Sequence, residues 1–191
     1  MSETNETAGP GGITLTETAR EVLGNVTLLL VPTAPDDESY DRARAAAVHL
    51  AREASCAVVL HDRSDERWTD TPHPEGPYTV DQISDEGREH LVGQMQPFID
   101  AGIDVSAWYA SVPALTALLT PVQTLGADGI LVPESIDNPK MMDRLQAGDD
   151  AGEMVGRVLD QNLERPIHIF VLGDDGTIEV ITTVDRTERP D

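Results

Sequence analysis

The chain has 191 residues, enough for one domain with a proper core, and its 35 acidic against 13 basic residues give a formal net charge of -22. That balance excludes general binding to nucleic acid or to an anionic membrane surface, both of which need basic faces. Asp and Glu recur in every segment and Lys140 is the sole lysine. Two readings of the acidity stand: an acidic partner-binding surface and, favoured by the even spread, an adaptation to high salt.

Along the chain, residues 1 to 12 read as a disordered arm and "ITLTETAREVLG" (13 to 24) as a short helix ending at Gly24. "NVTLLLVPTA" holds a continuous apolar strand, Val26 to Val31, of the kind buried on both faces and closed by Pro32 and Pro35. Asp36 caps the next helix, whose first turn places Asp37 and Glu38 at the positive end of the dipole. Its core stripe is Tyr40, Ala43, Ala47, Leu50, Ala51 and Ala54, and so much alanine sets the helix close to its sheet. "CAVVLH" is a second buried strand, and residues 62 to 83 form a polar surface excursion. A helix follows from Ser84, with Leu91, Met95, Phe98 and Ile99 on one side and Gly93 and Pro97 weakening it.

"IDVSAWYA" alternates like a strand near the sheet edge. "VPALTALLTPVQTLG" is a helix with Pro113 in its first turn, a bend at Pro121 and a stop at Gly126. Gly129 to Val132 is the fourth strand, followed by a long polar loop and a helix from Ala151 to Leu163 that packs through Val155, Val158 and Leu159. "RPIHIFVL" is a fifth strand, and "GDDG" turns it into a sixth, "TIEVITT", that pairs back on it. Strands alternating with helices at this spacing predict an α/β fold, a Rossmann-like three-layer sandwich with helices on both faces of a parallel sheet. The expected organisation is an arm over 1–24, one domain over 25–184 including the terminal hairpin, and an acidic tail over 185–191.

Cys56 is the only cysteine, so neither an intramolecular disulfide nor a CxxC pair exists, and its setting in "SCAVVL" reads as a packing position. The apolar runs are far short of the ~20 residues that cross a bilayer, and "MSETNETAGPGG" has no charged-then-apolar signal pattern. The expected location is the cytoplasm.

Three segments resemble the universal stress protein family. "LLLVPTAPDDESYDRARAAAVHLA" is similar to that family's first strand, loop and helix. "SVPALTALLTPVQTLGADGILVP" is similar to its proline-started helix ending "GAD" before strand four, and "GEMVGRVLDQNLERPIHIFV" to its last helix and proline-led fifth strand. The resemblance covers roughly residues 25 to 172 in order. It implies a five-stranded parallel sheet in the order 3-2-1-4-5, here with an added C-terminal antiparallel hairpin strand, and a ligand crevice between the ends of strands one and four. It also implies a homodimer formed through the fifth strand's edge, where Ile167, Ile169, Val171, Ile178 and Val180 stand in this chain. Many members bind ATP or a related nucleotide; others serve as regulatory partners.

The crevice positions are Thr33, Ala34, Val132, Pro133, Gly152 and Glu153. By the resemblance, Ala34 stands where nucleotide-binding members carry an aspartate, and Pro133, Ile136, Gly152 and Glu153 align with their G-x-x-G and G-[S/T] positions. A phosphate cradle needs bare backbone N–H groups closing on anionic oxygens. Pro133 has no N–H, Ile136 adds bulk, and Glu153 places a carboxylate in the helix's first turn, where it also complements its own helix dipole. One carboxylate about 4 Å from a phosphate charge costs about 4 kcal/mol at a near-surface dielectric, or about three decades of affinity. The favoured expectation is thus a regulatory or binding homodimer with a degenerate crevice, no cofactor, no catalytic residue and an unknown protein partner. The alternatives are ATP or AMP held through Thr33, Val132 and Gly152 backbone groups, and an enzyme using His61 with neighbouring carboxylates.

Other candidates have plainer readings. His61, Asp62 and His73 raise a metal or acid/base site, but a strand histidine and a loop histidine suffice. His49, His90 and His168 read as helix-face or strand-face residues. Ser111 and Ser135 stand at strand ends without a G-x-S-x-G elbow, and Trp68 is a loop anchor or a partner contact.

Overall fold

In the computed structural model, residues 12–33, 38–62, 76–109, 118–134 and 151–183 are described, without the side chains of Ala151, Glu153 and Met154. In chain order the elements are β1 (Thr14–Leu15), α1 (Glu17–Leu23), β2 (Leu28–Thr33), α2 (Glu38–Ala54), β3 (Ala57–Asp62), α3 (Val80–Asp85), α4 (Glu89–Asp100), β4 (Val105–Tyr109), α5 (Leu119–Leu125), β5 (Gly129–Pro133), α6 (Ala151–Asn162), β6 (His168–Leu172) and β7 (Thr177–Thr182). They build one sheet in the order β1-β7-β6-β5-β2-β3-β4. The run β4-β3-β2-β5-β6 is parallel throughout and matches the expected five-strand order. β7 returns antiparallel on β6, as "GDDG" predicts, with Gly176 at φ 86 in the turn.

The expected boundary at residue 24 is not a seam. Thr14 and Leu15 add a parallel edge to β7, and α1, capped by the Thr16 hydroxyl and ending at Gly24, buries Ala19 and Leu23 beside Leu15 in the main core. A two-residue strand is too short to show a period, which is why the sequence pattern yields only the helix.

Strand alternation divides the core into two clusters. On one side lie Leu29, Val31, Val58, Leu60, Leu131, Phe170 and Leu172, covered by α1, α2 and α4. On the other lie Leu30, Val59, Trp108, Ile130, Val132, Ile167 and Ile169, covered by α5 and α6. Ala43, Ala46, Ala47 and Ala51 of α2 are buried, so the helix sits low over β2 and β5 as its alanine stripe predicts.

The single helix expected from Ser84 is two. Thr79 opens α3 with a reciprocal capping box to Gln82, and Gly87, at φ 72, breaks the chain before α4. Leu91, Met95 and Phe98 form the buried stripe of α4, but Ile99 is 40% exposed and is not part of it. The described part of α5 starts at Leu119 and holds Pro121, while Pro113 and the expected start of the helix lie outside the described residues. Gly126, at φ 74, is the left-handed stop of α5. Asp128 then accepts from the Thr27 amide (3.0 Å) and hydroxyl (2.7 Å) and from the Leu28 amide (3.1 Å), which pins the start of β2 to the start of β5.

The outer edge of β4 is met by an antiparallel bridge between Tyr78 and Ala107, the returning end of the 62–83 excursion. Residues 63–75, with Trp68 and His73, lie outside the described residues, as do Ala34, Ser111, the 135–150 loop and the 184–191 tail.

Candidate functional site

The chain runs from β2 outward to β3 and β4, then returns past β2 to β5, so the topological switch point lies between β2 and β5. Open sheets bind ligands beyond the carboxyl ends of the strands at such a point. The β2–β5 ladder spans Leu29↔Gly129 and Leu30↔Ile130, although β2 continues to Thr33 and β5 to Pro133. A gap therefore opens where the expected crevice lies.

Among the described residues, the end of β5 gives this gap no free main-chain N–H from Pro133 or Glu134. Pro133 offers no N–H, and the next amide, of Glu134, donates to the Leu172 carbonyl at 2.8 Å, extending the β5–β6 pairing. The Thr33 hydroxyl accepts from Arg44 of α2 and donates to Gln94 of α4 at 3.0 Å. Val132 and Gly152 are buried. Ala34 and Ile136, and the side chain of Glu153, lie outside the described residues.

Tyr40 stands beside the gap. It stands in the first turn of α2, at the carboxyl end of the strands, and is fully buried. Its own helix packs on one side of the sheet, yet Tyr40 belongs to the cluster on the other side, with Leu30, Val132 and Val155. The ring thus passes over the strand ends at the switch point. Helical spacing marks Tyr40 as a core residue but not as the one that crosses the sheet.

The polar chemistry of the rim sits beside this gap. Alternation along β3 points His61 toward α5 and α6 and Asp62 toward α2 and α4, so the two do not form a pair. Asp62, with no exposed surface, instead meets His90 Nε2 at 3.3 Å and Arg88 at 3.8 Å. Arg88 lies 3.8 Å over the Tyr109 ring, which stacks on Tyr78 at 4.7 Å between centroids. Burial and the Glu86 carboxylate push the Tyr109 hydroxyl well above the usual range, against the pull of Arg88. His90 is the functional candidate that sequence reading passes over. It is 28 residues from Asp62, and only the packing of α4 beside β3 joins them.

Among the described residues, no group of three or more His, Cys, Asp or Glu is placed to hold a metal ion. Cys56 is buried, and burial pushes its thiol up to about 11. No helix among the described residues is long and apolar enough to cross a membrane.

No protein-family model matches the chain, and no curated protein matches it. Solved structures do. Hypothetical protein MJ0577, the subject of a structure-based assignment of biochemical function, is similar over 78% of this chain and 96% of its own, at 14% identity and a TM-score of 0.50. That likeness shows a shared α/β fold. A universal stress protein family member from Burkholderia pseudomallei is 18% identical over 76% of this chain and 95% of its own, with a TM-score of 0.47. A universal stress protein solved in complex with cAMP is 14% identical over 78% and 97%, also at 0.47. At 14% identity the likeness to MJ0577 shows the fold alone.

Proposed function

We propose that this universal-stress-fold protein is a regulatory or binding protein of the cytoplasm that works without a nucleotide in its switch-point crevice and without catalysis of its own. The observation that supports this reading is Tyr40, which is fully buried beside the gap between β2 and β5 in one cluster with Leu30, Val132 and Val155. Pro133 and the committed Glu134 amide add to it, because a phosphate entering there would meet no main-chain donor from either residue. Calorimetric titration of ATP, AMP and cAMP into the full chain at high salt is the test. The reading expects no saturable heat; a stoichiometric, tight nucleotide would replace it with the ATP- or AMP-binding alternative.

The partner most directly supported is a second copy. Gly173 N–H donates to Thr177 and Thr183 N–H to Ile167, so the odd-numbered residues of β7 turn their main-chain groups toward β6. Val180 and Thr182 therefore direct theirs outward, while β1 covers only Thr177 and Ile178. Ile167, Ile169 and Ile178 are fully buried within the chain itself, so side-chain contact at this edge falls to Val171, Val180 and the 39% exposed Ile181. A homodimer through β7 predicts sedimentation as a dimer and loss of that species in Val180→Pro, which removes an outward N–H.

A further inference from the structure

β6, the last of the parallel strands, is paired on both sides, so the sheet ends instead at β7 and the short β1. Main-chain hydrogen bonds along β7 limit what can be added there. Thr14 N–H donates to the Gly176 carbonyl at 3.1 Å and Thr16 N–H to the Ile178 carbonyl at 3.0 Å, after which the chain enters α1. The odd-numbered residues of β7 face β6. Among the described residues, the N–H and C=O groups of Val180 and Thr182 are what remains to the open edge.

Two copies related by a two-fold axis present the same residues to each other, so edge strands meet antiparallel. One register uses all of those groups: Val180 opposite the partner's Thr182, Thr182 opposite the partner's Val180, and the axis at Ile181. Centring on Val180 would set Thr182 against Ile178, whose carbonyl already serves β1, and the Glu179 carboxylate against the apolar Ile181. Centring on Thr182 would set Val180 against residue 184, beyond the end of β7.

The side chains favour the same register. Ile181 is 39% exposed, one of two large hydrophobics exposed among the described residues. It lies on the α6 side of the sheet, its Cγ2 4.0 Å from where a Cβ on Gly156 would stand. With the axis at Ile181, the two isoleucines form a non-hydrogen-bonded pair with Cα atoms about 4.5 Å apart, and each covers the other. Glu179 then stands opposite the partner's Thr183, so the two Glu179 carboxylates do not face each other.

We propose that two copies of this chain join antiparallel through β7 in this register, Ile181 meeting Ile181 at the axis and β1 acting as the stop that sets it. The inference rests on the homodimer reading above and adds the residue at the axis. It makes the joint specific for a second copy, because β1 leaves only the stretch from Val180 to Thr182 for a strand to pair with.

Ile181→Cys, Val180→Cys and Glu179→Cys in the full chain, equilibrated with reduced and oxidised glutathione, test it; Cys56 is buried and does not compete. A Cα separation of about 4.5 Å can be bridged by a disulfide, and one beyond about 7 Å cannot. A stagger of two residues already adds about 7 Å along a strand, so Val180 and Glu179 stand out of reach of their counterparts. Ile181→Cys is expected to give at least tenfold more disulfide-linked dimer than either of the others. Ile181→Asp sets two carboxylates opposite each other at the axis and is expected to weaken the dimer at least tenfold in sedimentation, in a chain that stays folded by circular dichroism. The register is overturned, and the homodimer reading kept, if the unmodified chain sediments as a dimer but Ile181→Cys does not lead the series or Ile181→Asp leaves the dimer unchanged. A monomeric unmodified chain overturns both.

Discussion

At the gap between β2 and β5 the rim of the sheet carries a buried aromatic ring and a proline, whereas on the neighbouring strands, β3 and β4, it holds a fully buried carboxylate with a guanidinium and an imidazole around it. The contrast teaches that a fold's customary ligand position and a chain's own polar chemistry need not coincide. The topology creates the gap whatever the sequence, because neighbouring crossovers diverge there. The side chains decide whether the gap becomes a site. Here a buried tyrosine and a proline stand at that place, and the charged groups gather where α4 meets the end of β3.

The contrast can be broken at its apolar end first. Tyr40→Ala removes a ring with no exposed surface, and a loss of about 3–5 kcal/mol in denaturant unfolding is expected for an aromatic truncation of this kind. A loss below about 1 kcal/mol would mean that the ring is not packed as described.

At the polar end, Asp62→Ala takes one carboxylate from Arg88, whose side chain is 15% exposed and which keeps Glu86 at 3.6 Å. Losing a buried charge-assisted contact costs about 2 kcal/mol, measured in the same way, and the His90 ring resonances should broaden as the imidazole loses its anchor.

Asp128→Ala sharpens the comparison from the opposite end of the strands. It removes three hydrogen bonds that tie β2 to β5 where their ladder is intact, so about 1–2 kcal/mol should be lost while the rim is untouched.

The smallest effect is a titration. Burial lowers the pKa of His168, against a weaker opposing pull from Asp128. A base with a depressed folded pKa contributes stability above its unfolded pKa of about 6.5, and that contribution is lost as pH falls through the folded value. His168→Gln should therefore flatten the decline in stability on the acid side of neutrality and change little at pH 8.

Much of this architecture is legible in the residues. The runs around Leu29, Val59, Ile130 and Ile169 announce buried strands, the alanines of α2 announce close helix–sheet packing, and "GDDG" announces the hairpin. The terminal "GAD" can be read as a helix stop, but not the use of its aspartate, which bonds a strand about a hundred residues earlier in the chain. The split between α3 and α4 turns on one left-handed residue, Gly87, among several glycines that look alike in the sequence. The crevice was legible in its losses, since a proline at 133 removes a donor in any conformation. What closes the gap was not, because helical period reports which face Tyr40 occupies and not where a first-turn ring travels. The pairing of His90 with Asp62 left one faint trace, a His-x-x-Gly-Gln run interrupting the apolar stripe of α4.

The central claim is that Tyr40 holds the switch-point gap against any ligand. A crystal structure of the full chain grown with excess ATP tests it most directly. The account predicts the Tyr40 ring packed with Leu30, Val132 and Val155 and no nucleotide beside it. A ring swung out, with a nucleotide in its place held by the main chain of Thr33 and Gly152, would contradict it.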